Sequence, residues 1–133
     1  MAFLIHKIDD NRVCGIEYLP AGAITPKAGM ALYQASGNLA LASGTNKPTY
    51  ISMVEKDAAL TAGDIIPVIR VNPDIVFETT LAASGTSLNL GSKVTLHTDG
   101  LQVTATTTSG VAEIIDFPDG VKTSGARVRV RFS

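Results

Sequence analysis

Apolar and polar residues alternate along several stretches of the chain. The clearest stretch is 127–132, which reads Arg-Val-Arg-Val-Arg-Phe and would place the arginines on one face of a strand and the apolar side chains on the other. Residues 93–97 and 101–104 alternate in the same way, and Asp99-Gly100 stands between them. Because Asp-Gly between two alternating runs favours a tight turn, this part of the chain predicts a β-hairpin.

The first half of the chain predicts a second hairpin. Residues 30–33 and 38–41 are its two strands, and Ser36-Gly37 is its turn. Helical periodicity is weak by comparison, since the best stretch, 55–62, is short, rich in alanine and followed by Gly63. The 12 glycines and 6 prolines favour frequent turns between short strands. We therefore predict an all-β fold with little helix.

An internal repeat relates the two halves of the chain at an offset of 62 residues, the separation of Leu39 and Leu101. The alignment needs no gap from Leu32 to Arg70, and apolar positions match apolar ones between the identities. The identical pairs are Leu39/Leu101, Thr45/Thr107, Asp57/Asp119, Thr61/Thr123, Gly63/Gly125 and Val68/Val130. Two similar tandem halves that bury their apolar faces against each other predict a small β-barrel or β-sandwich.

The length of 133 residues suits one domain with a hydrophobic core of its own. Within a single β domain, 1–133, we predict an N-terminal segment at 1–22 that is a candidate arm. The first half follows at 23–71, a linker at 72–87, and the second half at 88–133.

Composition and charge exclude several classes of function. Basic and acidic residues number 11 and 12, so the basic excess of a nucleic-acid-binding protein is missing, and no nucleic-acid partner is expected. With no Trp, 4 Phe and 3 Tyr, the chain offers few aromatic platforms for a carbohydrate. No stretch approaches the roughly 20 apolar residues of a membrane span, and the N-terminus lacks the features of a signal peptide. We expect a soluble protein with no membrane partner, not exported by the usual route.

Residues with catalytic or metal-binding potential are few. Cys14 is the single cysteine, which indicates folding in a reducing cytoplasm and a buried, unreactive thiol. His97 has the solvent-facing parity of its strand, and Asp116 and Asp119 lie in a Pro-Asp-Gly turn better explained by turn geometry than by calcium. No phosphate-binding loop, dinucleotide fingerprint or nucleophile elbow occurs. We predict no catalytic residues, no metal site and no cofactor.

Two surface features are candidates for partner binding. Arg127, Arg129 and Arg131 form either a solvated strand face, which on an edge strand also deters aggregation, or a stripe that docks carboxylates of a partner. If they are solvated, replacing them with Ser leaves folding nearly intact, because exposed charges contribute little. Phe3-Leu4-Ile5 is either core or part of an N-terminal arm that orders against a neighbour.

Four segments carry a resemblance to a known family, and they lie between residues 20 and 71. They are Ala28-Gly29-Met30-Ala31-Leu32-Tyr33, Gly37-Asn38-Leu39-Ala40-Leu41-Ala42, Lys47-Pro48-Thr49-Tyr50-Ile51-Ser52 and Ala62-Gly63-Asp64-Ile65-Ile66-Pro67-Val68. In this turn-and-strand pattern the chain resembles the head decoration (cement) proteins of tailed bacteriophages.

The resemblance implies a non-enzymatic virion protein on the capsid exterior, made in the host cytoplasm. Such a protein binds the expanded head and clamps neighbouring major capsid protein subunits. Many members are trimers, which makes a homotrimer an expectation here, and some have an N-terminal arm, for which residues 1–8 are the candidate.

Two alternatives stay open. A phage fibre or another carbohydrate- or receptor-binding module would need an aromatic cleft, for which only Tyr18, Tyr33 and Tyr50 are at hand besides the phenylalanines. A small β-barrel enzyme would need His97 and a carboxylate gathered in one cleft.

Overall fold

The computed structural model describes residues 2–8 and 15–132, which form an all-β fold without a helix. Its ten strands are β1 (Leu4–Ile8), β2 (Ile16–Pro20), β3 (Ala31–Ala35), β4 (Asn38–Leu41), β5 (Tyr50–Ser52), β6 (Ile65–Arg70), β7 (Ile75–Thr80), β8 (Lys93–Val94), β9 (Ala112–Asp116) and β10 (Arg127–Phe132).

The strands form two antiparallel sheets of five strands each. Sheet A has the order β1-β7-β10-β9-β8, and sheet B has the order β2-β6-β5-β3-β4. Residues of both sheets share one buried apolar cluster, so the sheets pack face to face as a small β-sandwich. The prediction of an all-β sandwich with little helix is confirmed, and the described strands do not close into a barrel.

The internal repeat has a counterpart in the strand order. Shifting β6 by 62 residues gives 127–132, which are the bounds of β10, and the same shift places β5 on β9 and β3 on the segment that begins with β8. The neighbours run β6-β5-β3 in sheet B and β10-β9-β8 in sheet A. Each predicted half therefore supplies three equivalent neighbouring strands of one sheet, because equivalent apolar positions recur on equivalent strands.

Both predicted hairpin turns are present. Ser36 and Gly37 both have positive φ, 53° and 85°, as the two-residue turn between β3 and β4 requires. Gly100 has φ 67°, and the Asp99 carboxylate accepts a 2.8 Å hydrogen bond from the Leu101 N–H. The regular strand β8 is shorter than predicted and pairs with β9, and the strand predicted at 101–104 is absent. An isolated bridge between Leu96 and Val103 is what remains of the second hairpin.

The predicted linker 72–87 is wrong over Ile75–Thr80, which is strand β7. This strand lies inside sheet A between β1 and β10, and Ile75, Val76 and Phe77 are buried. A linker between the two halves would be solvated, whereas three successive apolar residues are buried here, so both faces of the sheet are covered at this strand. The candidate helix at 55–62 is irregular chain.

The N-terminal segment is also part of the sandwich. Strand β1 pairs with β7, and β2 pairs with β6, so the described part of residues 1–22 is not a separate arm in this fold. The turn predicted around Asp9–Asn11 and the burial predicted for Cys14 lie outside the described residues.

Two apolar clusters hold the fold together. The larger one fills the space between the sheets and includes the rings of Phe3, Phe77 and Phe132, whose centroids are 5.2–6.5 Å apart. The smaller one lies on the opposite face of sheet B, where Leu32, Ile66 and neighbouring side chains are covered by the irregular segments 22–28 and 53–64. Sheet B is therefore apolar on both faces.

Candidate functional site

The arginine row lies on the outer face of sheet A, on a strand that has a neighbour on each side. Strand β10 sits between β7 and β9, so the interpretation as an edge strand is wrong. Val128, Val130 and Phe132 point into the core, as the alternation predicts. The arginines are thus presented on a flat surface beside the carboxylates of both flanking strands.

Arg127 and Arg129 are paired with these carboxylates. The Arg127 guanidinium donates two hydrogen bonds to Asp119, 2.5 and 2.9 Å long, and its Nη1 lies 3.5 Å from Glu78 Oε2. Arg129 donates from Nε to Glu78 and from Nη1 to Asp116, both at 3.2 Å. These pairs neutralise the two guanidiniums, which weakens the hypothesis of a cationic stripe that docks a partner's carboxylates.

The same contacts shift the ionisation of the pair at the end of the row. Hydrogen bonds donated by Arg127 hold the pKa of the Asp119 carboxyl below its ordinary value, and the same hydrogen bonds, accepted by Asp119, raise the pKa of the Arg127 guanidinium. Arg131 lies opposite Glu113 in the register of β10 and β9. Lys93 of β8 also lies opposite Glu113, so four cations and four carboxylates form a charge-balanced lattice on the outer face of sheet A.

We expect Arg129→Met to lower the free energy of unfolding by about 1–2 kcal/mol, because Glu78 would lose its closest cation in a poorly solvated place. The Arg129 and Glu78 side chains are only 26% and 16% exposed. Arg70→Met is the matched control, since the Arg70 and Glu17 side chains are 64% and 36% exposed and should lose less. Urea denaturation measures both, and equal losses would contradict a stabilising lattice.

The three residues of the Phe3-Leu4-Ile5 candidate divide between core and surface. Phe3 is 2% exposed and packs on Phe77 and Phe132, so it is not accessible to a partner in this fold. Leu4 and Ile5 remain exposed on β1, the terminal strand of sheet A. They line one side of a half-open groove of about 210 Å³ whose floor includes Ile51 and Ile69 of sheet B.

The groove opens onto an apolar ledge made by sheet B. Ala31, Ile51, Ile69 and Ile16 form one row across β3, β5, β6 and β2, with their side chains on the face toward sheet A. Along this row Ile69 is 3% exposed and Ile16 is 53% exposed. The cover provided by sheet A therefore ends above β6, and β2 projects beyond it.

A second and a third row extend the ledge. The Met53 N–H donates to the Pro67 carbonyl, and Pro67 lies opposite Tyr18, so these three side chains share the face of the first row. Ile65 follows on the same face, opposite Pro20. We call the exposed side chains of this region the apolar shelf; they are Ile5, Ile16, Tyr18, Met53 and Ile65, each 42–68% exposed. Leu4 lies outside the shelf, because it is opposite Glu78 and therefore points to the outer face of sheet A.

Sequence reasoning found Ile5 but missed the four shelf residues of sheet B. A signal was present in strand β6, where Ile65, Ile66, Pro67, Val68 and Ile69 are all apolar. A strand without polar alternation is covered on both faces. Strand β6 is covered on one face and only partly on the other. Its N-terminal end, at Ile65, therefore forms part of an exposed apolar surface.

His97 lies next to the isolated bridge of the second hairpin. Leu96 is buried as predicted, His97 is half-buried, and its backbone N–H donates to the Gln102 carbonyl. Within residues 2–8 and 15–132, no three His, Cys, Asp or Glu side chains converge in a way that could hold a metal ion. In the same ranges no helix is long and apolar enough to cross a membrane.

Comparison with known proteins gives no family assignment. No protein-family model matches the chain, and a search of curated proteins finds no matching relative.

Proposed function

We propose that this chain is a structural protein of a virus head, binding the outer surface of the expanded capsid and clamping neighbouring major capsid protein subunits. The observation that supports a structural role most directly is the apolar shelf on an otherwise charge-balanced sandwich. Contiguous exposed apolar surface of this kind marks sites of protein–protein contact. The resemblance of residues 20–71 to capsid decoration proteins supplies the identity of the assembly.

The architecture suits that role. A sandwich with two apolar clusters is a stiff body, and its contacts need no induced order. On a lattice, many copies of a modest interface add up to a large total stabilisation without any tight single contact. A decoration protein of this kind therefore stabilises the capsid through many modest contacts rather than through a catalysed reaction.

The tyrosines disfavour the alternative of a carbohydrate-binding module. Tyr18 is exposed, but Tyr50 is buried under the Arg70 guanidinium, which lies 5.4 Å from the ring centroid, and Tyr33 packs against the main core. One exposed ring does not make a stacking platform for a sugar.

The proposal is tested by sedimenting the protein with purified phage heads. We expect saturable co-sedimentation with expanded heads and none with unexpanded heads, which serve as the matched control because they contain the same coat protein in another arrangement. Expanded heads carrying the protein should also resist heat or chelation longer than bare ones. Absence of binding to either form, together with binding to a glycan array, would overturn the proposal in favour of a receptor-binding module.

A further inference from the structure

We propose that the apolar shelf is the interface between two copies of this chain. This inference goes beyond the capsid role and does not depend on it, since it concerns how the protein exists before it meets any lattice. It sets a dimer in place of the homotrimer that the resemblance implies. It rests on the shape of the shelf, its area and the absence of charge on it.

The shelf has a stepped profile, because the end of sheet A stands above the part of sheet B that sheet A does not cover. Strand β1 is the terminal strand of sheet A and forms the step, with Leu4 and Ile5 at the groove. Strands β6 and β2 form the ledge, because the face they turn toward sheet A is no longer covered there. Strand β2, the last in the order of sheet B, is the margin of that ledge, and directly after it Ala21 forms a bridge with Leu39 of β4.

A second copy related by half a turn fits this profile. If the twofold axis is parallel to the strands, the uncovered face of β6 and β2 in each copy covers the same face in the other copy. Strand β2 of each copy then approaches strand β1 of its partner. Such a contact is isologous, with the same patch on both subunits, and it closes on itself as a dimer. This contact also shields β1 and β2, which lie at the ends of their sheets.

The area of the shelf is adequate for such a contact. With roughly 200 Å² for a large side chain, five residues that are 42–68% exposed present on the order of 500 Å² of surface in each copy. A standard stable interface buries about 800 Å² per partner, so backbone and flanking atoms need to add only a minor share.

Among the residues that the structure describes, the side chains of the shelf also carry no charge that burial would leave unpaired. Glu17 lies between Ile16 and Tyr18 on β2 but opposite Val68, which places it on the other face, where it binds Arg70 at 3.1 Å. Apolar surface on both partners without an unpaired charge is the composition of the core of a homodimer interface. The groove, at about 210 Å³, is smaller than the usual 300–1,000 Å³ of a small-molecule site, which favours a protein surface as its occupant.

Sedimentation velocity of the full chain over a range of concentrations tests the proposal. We expect a reversible species of twice the 13.9 kDa chain mass. Tyr18→Glu combined with Ile65→Glu should weaken self-association by about 100-fold or more, because each dimer would bury unpaired carboxylates. Leu90→Glu combined with Val121→Glu is the matched control, since these side chains are 64% and 48% exposed but lie outside the shelf, and it should leave the dimer intact.

Amide hydrogen exchange of the unmodified chain gives a second readout that does not depend on any variant folding. Raising the protein concentration should slow exchange along β1 and β2 and leave β4 and β8, the other two terminal strands, unchanged. A chain that stays monomeric throughout, or a dimer that survives the shelf substitutions, would overturn the proposal. Head binding is scored separately, so a failed dimer and a failed capsid role give different results.

Discussion

Replacing Phe3 with Ala should lower the free energy of unfolding by about 3–5 kcal/mol, the range found for deleting a buried aromatic side chain. The Phe3 ring is 2% exposed, and its centroid lies 5.2 Å from that of Phe132 and 6.5 Å from that of Phe77. Its loss leaves a cavity between the terminal strand β1 and the rest of the main core. Urea denaturation followed by circular dichroism measures the change.

Leu4→Ala is the control for this prediction. Leu4 is adjacent in the chain but half exposed, so its truncation removes little buried area and should cost less than about 1 kcal/mol. If both variants lost the same small amount, the N-terminal segment would not be docked, and its interpretation as a free arm would return. Comparison of the two variants thus distinguishes a segment that is packed into the core from one that is a free arm.

Gly29→Ala should cost about 2–4 kcal/mol, the second large effect we expect. Gly29 has φ +80°, and an added Cβ would meet the Phe3 backbone at 2.9 Å and the Ala2 side chain. The Gly29 carbonyl also accepts a 3.0 Å hydrogen bond from the Phe3 N–H. The chain therefore needs glycine at this position for both its backbone conformation and the close passage of the N-terminal segment.

Gly63→Ala separates these two causes. Gly63 has φ +97°, and an added Cβ would meet nothing within 4 Å, so its replacement costs only the unfavourable backbone conformation, about 1–2 kcal/mol. Chemical denaturation of the two variants under the same conditions gives the difference, which reports the contact with Phe3 and Ala2. A loss at Gly29 no larger than that at Gly63 would contradict the close packing of residues 2 and 3.

The arginine row shows how tertiary contacts change the meaning of a surface motif. Alternation alone predicted that Arg127, Arg129 and Arg131 face away from the core, but not what they face. Glu78 and Asp116 come from strands on either side of β10 and hold Arg129, so the row is a cross-strand lattice. Removing it should cost stability, in contrast to the expectation from sequence that folding would be nearly unaffected.

The proposed interface and the proposed capsid role make separate demands on the molecule. A dimer through the shelf would leave the charge-balanced outer face of sheet A and the ends of the sandwich for a lattice. In a monomer, the shelf itself would remain available for contact with the lattice. Measuring self-association before head binding therefore decides which surfaces remain to be searched for the contact with a coat protein.

The sequence by itself determined the local features of this protein. Alternation in residues 127–132 predicted β10 and the burial of its valines, Ser36-Gly37 predicted the turn between β3 and β4, and the 62-residue offset predicted two similar halves. These succeed because a strand's pleat and a turn's dihedral angles depend on residues close together in the chain. The pleat and the turn angles determine which side chains share a face of the sheet, but not what covers that face.

Only the tertiary structure decided what covers each face. Glu78 meets Arg129 across 51 residues of sequence, β7 lies inside sheet A rather than in a linker, and Phe3 belongs to the core although its neighbours Leu4 and Ile5 are exposed. Ile16 and Ile69 sit in one row, yet one is exposed and the other is buried, because sheet A ends between them. Burial depends on where the opposing sheet stops, and that is set by contacts between distant segments rather than by any local pattern.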